Sequence, residues 1–96
     1  MLILVTYDVS TETKEGQRRL SKVAKKCEAN GQRVQNSVFE CILDYSQYLT
    51  LVADLKKIIK EDEDSLRFYN LGAKYDGKVV HIGIKASIPL DGNLVI

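Results

Sequence analysis

Apolar and polar positions follow two rhythms along this chain, and each change of rhythm marks an element. Leu2-Ile3-Leu4-Val5-Thr6-Tyr7 is an unbroken, partly β-branched apolar run, the pattern of a central strand buried on both faces. Asp8-Val9-Ser10-Thr11 follows, and Ser10, Thr11 and Thr13 are each able to cap a helix start. From about Lys14 to Asn30 the period lengthens. At roughly 100° per residue, Leu20, Val23, Ala24 and Cys27 gather on one arc of the helical wheel and the basic residues on the other side. Asn30-Gly31 predicts the helix end, through a glycine in the left-handed conformation.

Gln32–Leu43 carries Val34, Val38, Phe39, Ile42 and Leu43 around Asn36-Ser37, which predicts two short strands or one strand with a bulge. Tyr48, Leu51, Val52, Leu55, Ile58 and Ile59 recur at helical spacing and lead into the acidic block Glu61–Asp64. Ser65–Leu71 predicts a further strand, Asp76-Gly77 a turn, and Val79–Ile84 a last strand, with Leu94-Val95-Ile96 as an apolar tail. The order β-α-β-β-α-β places the chain in the α+β class, as one ferredoxin-like sandwich over residues 1–96. Residues 79–96 are surplus to that unit. A surplus strand of this kind pairs readily with the sheet edge of a neighbouring chain, so a homodimer is expected. The fold hosts enzymes, regulatory modules and nucleic-acid binders alike and does not name a function.

Composition narrows the class. With 96 residues, 45% hydrophobic and 28% charged, the chain is long enough for one modest core and reads as globular. Met1–Val5 is the longest apolar run, far short of the ~20 residues of a membrane span, and it lacks the basic n-region and small-residue cleavage site expected of a signal peptide. Cys27 and Cys41 are the only cysteines, too few for a disulfide scaffold or a four-thiolate zinc site. A reduced, cytoplasmic protein with no membrane partner is the expectation. The net charge of +1 hides a polarity: residues 14–26 hold Lys14, Arg18, Arg19, Lys22, Lys25 and Lys26 against Glu15 alone. Such a face suits phosphate backbones without reading sequence, although charged residues also cover most solvated helix faces.

Among single residues, Asp8 stands out, because it lies where an apolar strand ends and a loop begins. It fits a turn or capping role, and it equally fits a ligand for a hard divalent cation. Glu12 is the one other acid nearby, so the metal reading needs two chains whose Asp8 loops face each other. His81, the single histidine, has no partner at ligand spacing and leaves no evident histidine base. Cys27 and Cys41 read as small core residues.

Leu4-Val5-Thr6-Tyr7-Asp8-Val9-Ser10, the basic helix, and Gly31-Gln32-Arg33-Val34-Gln35-Asn36-Ser37-Val38-Phe39-Glu40 together resemble the Cas-two family, the small CRISPR-associated endonucleases of spacer acquisition. The resemblance runs on through the Leu66–Leu71 strand and His81-Ile82-Gly83. It implies a ferredoxin-like homodimer whose C-terminal strand crosses to the partner. It also implies metal-dependent nuclease activity and a scaffold role beside the Cas-one integrase. By position, Asp8 matches the metal-binding, catalytic aspartate, with Tyr7 its preceding aromatic. Arg33 and Phe39 match the arginine and phenylalanine of the second motif, and Arg18 and Arg19 are taken for the family's helix arginines. Tyr7, Ser10 and Phe39 would support the site, while Lys14, Arg18, Arg19, Lys22 and Arg33 would hold phosphates of RNA or DNA.

The leading expectation is therefore a magnesium- or manganese-dependent phosphodiesterase of CRISPR adaptation. The ion polarises a phosphoryl oxygen and lowers the pKa of a bound water. The alternatives are a non-catalytic dimeric adaptor that holds duplex DNA for the integrase, a related ferredoxin-like ribonuclease toxin, and a small-molecule regulatory module.

Overall fold

The structure is a computed structural model that describes residues 1–84. Its elements are β1 (Leu2–Asp8), α1 (Lys14–Asn30), β2 (Gln32–Gln35), β3 (Val38–Ile42), α2 (Tyr45–Ile58) and β4 (Ser65–Asn70). The four strands form one sheet in the order β2-β3-β1-β4, and every neighbouring pair is antiparallel. This is the ferredoxin-like arrangement expected from the sequence.

Both helices lie on one face of the sheet. Strand alternation sends Ile3, Val5 and Tyr7 of β1 and Phe39 and Cys41 of β3 into a core with Val23 and Cys27 of α1 and Leu51 and Leu55 of α2. Phe39 is fully buried and stacks on Tyr7, with ring centroids 6.2 Å apart. Buried in this core, both cysteines are free. Desolvation pushes the Cys27 thiol up to about 12 and the Cys41 thiol up to about 11, as small core residues require.

Local signals fix the element ends. Thr13 caps α1 by accepting from the Gly16 amide. Asp44 and Gln47 form a reciprocal capping box at the start of α2, a signal the sequence reading passed over. Both readings of Gln32–Leu43 hold in part, since Asn36-Ser37 turns between two strands and the register slips between Arg33 and Gln35.

Three expectations are corrected. Gly31 is extended, at φ −164°, and not left-handed. What demands glycine there is closeness, since a Cβ would lie 2.3 Å from Cys41 Sγ and 2.4 Å from the Glu40 carbonyl oxygen. Val79–Ile84 forms no strand: Val80, Ile82 and Ile84 are 76%, 91% and 95% exposed. Its β-favouring side chains find no ladder partner among the described residues. The apolar tail Leu94–Ile96 lies outside the described residues. Finally, β1 is covered on one side only, since both helices take the same face and leave Leu4 and Thr6 half-buried.

Candidate functional site

Alternation along β1 decides where Asp8 points. Ile3, Val5 and Tyr7 face the helices, so Leu4, Thr6 and Asp8 share the helix-free face. Register adds their neighbours on that face: Leu4 is opposite Glu40 and Tyr69, Thr6 opposite Val38 and Arg67, and Asp8 opposite Ser65. Ile42, opposite Leu2, is 60% exposed there, and Tyr69 is 42% exposed. Arg67 donates to the Tyr69 hydroxyl at 3.1 Å and lies 5.9 Å from that ring's centroid. Asp8 thus stands exposed at one end of a sheet face of mixed apolar and polar side chains, beside the basic Arg67, a neighbour that chain order alone did not suggest.

Tyr7 is held on the opposite face. Its hydroxyl reaches the Asn36 carbonyl at 3.5 Å and the Arg33 side chain. Burial pushes the phenol's pKa up, and the Arg33 charge pulls against it. Arg33 lies over the Phe39 ring, 5.0 Å from its centroid, and pairs with Glu28 at 3.2 Å. Arg33 and Phe39 therefore belong to the helix side of the sheet and are not brought together with Asp8. Phe39 and Tyr7 support the strand that carries Asp8 from beneath.

The basic helix separates into two kinds of residue. Lys14, Arg18, Lys22 and Lys25 are exposed, as a phosphate-facing surface requires. Lys26 pairs with Asp54 at 3.4 Å. Arg19 departs from its expected place on that surface. Its Nε donates to Asp64 Oδ2 at 2.8 Å and its Nη2 to Oδ1 at 3.3 Å. The reason is angular: at about 140° from Lys14 on the wheel, Arg19 sits at the edge of the basic arc, where it reaches across to the start of β4.

Asp64 is the residue that sequence reasoning missed. It ends a run of four acids that reads as solvated, yet its side chain is 0% exposed. It accepts from the Ser10 amide at 3.1 Å and from the Lys60 amide at 2.8 Å as well as from Arg19. Burial pushes its pKa up, but the Arg19 guanidinium and the Lys60 and Ser10 amides outweigh this and hold it below the ordinary carboxylate value. Ser10, expected beside the site, is thereby placed by its backbone. His81 is exposed and lies 3.0 Å from the Gly83 carbonyl oxygen.

Among the described residues, no three His, Cys, Asp or Glu side chains come together as a metal cluster. At the end of β1 one chain presents one carboxylate, Asp8, where a magnesium site uses one or two plus waters. No helix of the described residues is long and apolar enough to cross a membrane.

The chain as a whole is similar to known proteins in sequence and in fold. The family described as "CRISPR associated protein Cas2" matches residues 1–79. A CRISPR-associated endonuclease Cas2 from Halalkalibacterium halodurans is 55% identical over 95 residues, 99% of each chain. A CRISPR-associated endoribonuclease Cas2 from Chlorobaculum tepidum is 50% identical over 96 residues, the whole of both chains. The crystal structure of Streptococcus pyogenes Cas2 superposes with a TM-score of 0.75 at 49% identity, covering 86% of this chain and 100% of that one. The chain belongs to the CRISPR-associated Cas2 family.

Proposed function

We propose that the protein is a homodimeric endonuclease of the CRISPR system that hydrolyses phosphodiester bonds of RNA or DNA with Asp8 as its catalytic carboxylate. The observation that carries this reading is the position of Asp8. It ends a buried, rigid strand, it is exposed, and it shares its face with Leu4, Val38, Ile42 and Tyr69, apolar side chains that one chain leaves partly uncovered. Two copies meeting on that face bury these side chains and bring two Asp8 carboxylates to one place. That pair suits a magnesium or manganese ion, which when bound supplies Lewis acidity and an activated water. Lys14, Arg18 and Lys22, exposed on one helix face, hold flanking phosphates. The relatives' names, endonuclease and endoribonuclease, support the same chemistry. On this reading the protein works in spacer acquisition beside the Cas-one integrase.

A second reading rests on Asp8 being one carboxylate per chain at the end of β1: a dimeric adaptor that holds duplex DNA without cutting it. Cleavage assays on RNA, single-stranded DNA and duplex DNA with the Asp8→Asn protein separate the two. A nuclease centred on Asp8 loses orders of magnitude in rate while dimerisation and DNA binding persist. Wild-type rates in purified Asp8→Asn protein would remove Asp8 from the chemistry, and DNA integration supported equally by both proteins would favour the adaptor.

A further inference from the structure

Asp8 is the last residue of β1, paired with Ser65, and beyond that pair the two strands part. A carboxylate at the mouth of a loop needs something past it to hold its backbone, because a catalytic group must stay within ~0.5 Å of its working position. The residue preceding Ser65 supplies this. All four hydrogen bonds to the Asp64 carboxylate come from fixed donors. Oδ1 takes the Ser10 amide at 3.1 Å and Arg19 Nη2 at 3.3 Å. Oδ2 takes Arg19 Nε and the Lys60 amide, each at 2.8 Å. Three segments thus meet on one buried carboxylate: the loop leaving β1, the second turn of α1, and the turn entering β4. The loop is closed from its other side by Gly16, where a Cβ would lie 2.0 Å from the Ser10 carbonyl oxygen.

We propose that Asp64 and Arg19 are positioning residues for the active site, a buried clamp that fixes the Asp8–Ser10 backbone so that Asp8 is held where it acts. The inference rests on Asp8 being the catalytic carboxylate. It assigns the two adjacent arginines of α1 different tasks: Arg18 faces solvent and phosphate, whereas Arg19 uses its planar fork inside the protein. Lysine has the charge but not the planar fork, so it does not reproduce the two parallel N–H···O bonds that hold the carboxylate in one orientation.

The test compares wild type, Asp64→Asn, Arg19→Lys and Asp8→Asn as full-length proteins, well below their unfolding midpoints. Two readouts are taken: hydrogen exchange of the Ser10 amide by NMR, and kcat and KM for cleavage of an RNA and a duplex DNA oligonucleotide. The clamp predicts that Asp64→Asn and Arg19→Lys speed Ser10 exchange. It also predicts that both lower kcat by roughly 100-fold, the scale of a 1 Å misplacement, with KM little changed. Asp8→Asn lowers kcat and leaves Ser10 exchange as in wild type. Arg19→Lys is the milder change and serves if Asp64→Asn does not fold. Unchanged Ser10 exchange in both clamp variants would overturn the proposal, as would wild-type kcat per folded molecule. A raised KM with kcat intact would also overturn it, placing Arg19 on the substrate. If Asp8→Asn cleaves normally, the catalytic reading fails on its own, and Ser10 exchange still reports whether the clamp holds the loop.

Discussion

Replacing glycine by alanine in a helix ordinarily stabilises it by up to about 1 kcal/mol. At Gly16 the sign should reverse. Gly16 is buried in the first turn of α1, and a Cβ there would sit 2.0 Å from the Ser10 carbonyl oxygen, 3.0 Å from its carbon and 3.4 Å from Thr13 Oγ1. The nearest of these is backbone, so relief requires moving the Ser10 peptide by roughly 1.5 Å toward ordinary contact distance. The N–H on the other side of the Ser10 Cα, in the preceding peptide, is bound to Asp64, so the shift is resisted from that side. Overpacking of this kind typically costs about 1–3 kcal/mol. After the helical gain, Gly16→Ala should destabilise by up to about 2 kcal/mol, or up to roughly 8–16 °C in Tm for a domain of this size. Thermal and urea unfolding followed by circular dichroism at matched chain concentration measures it. A midpoint equal to or above that of wild type would refute the claim that Gly16 is needed for close approach to the loop.

Two further outcomes follow from the charged groups. The Asp64 pKa is held down in the folded protein by Arg19 and two amides, with Glu63 and Lys60 the other charges close by. Its stabilising contribution is therefore present in full above the unfolded value of ~3.9 and is lost as pH falls through the lower folded value. The difference in urea midpoint between wild type and Asp64→Asn should hold steady from pH 7 to about 5 and close toward pH 3; a difference independent of pH would contradict the paired carboxylate. In duplex-DNA binding, Arg18→Ala with Lys22→Ala should flatten log K against log salt by roughly 0.9 per lost phosphate contact. Arg19→Ala should leave that slope alone and lower stability instead, and equal slopes for all three proteins would make the exposed face of α1 an ordinary solvated surface.

The sequence shows the six elements clearly because each carries its own periodicity: Leu20, Val23, Ala24 and Cys27 make one helical arc, and Leu2–Tyr7 one strand. Less legible is anything decided by a partner across the fold. Leu2–Tyr7 suggests two buried faces, but the pattern does not say that both helices take the same side. Asp64 hides in an acidic run because burial of a carboxylate depends on Arg19, Ser10 and Lys60 converging from elsewhere. Arg33, joined to Asp8 by the motif resemblance, ends on the opposite sheet face, a matter of register parity. Val79–Ile84 has the composition of a strand, but composition supplies no partner to pair with.

The central claim, that two chains share one site at their Asp8 carboxylates, is tested most directly by the stoichiometry of manganese bound to the dimer. Equilibrium dialysis against Mn²⁺, with chain mass read in parallel by sedimentation, should give one ion for every two chains at saturation. Binding at that site should be lost in Asp8→Asn protein that remains dimeric. An intact chain that sediments as a monomer at micromolar concentration would contradict the account, as would manganese bound equally well after Asp8→Asn.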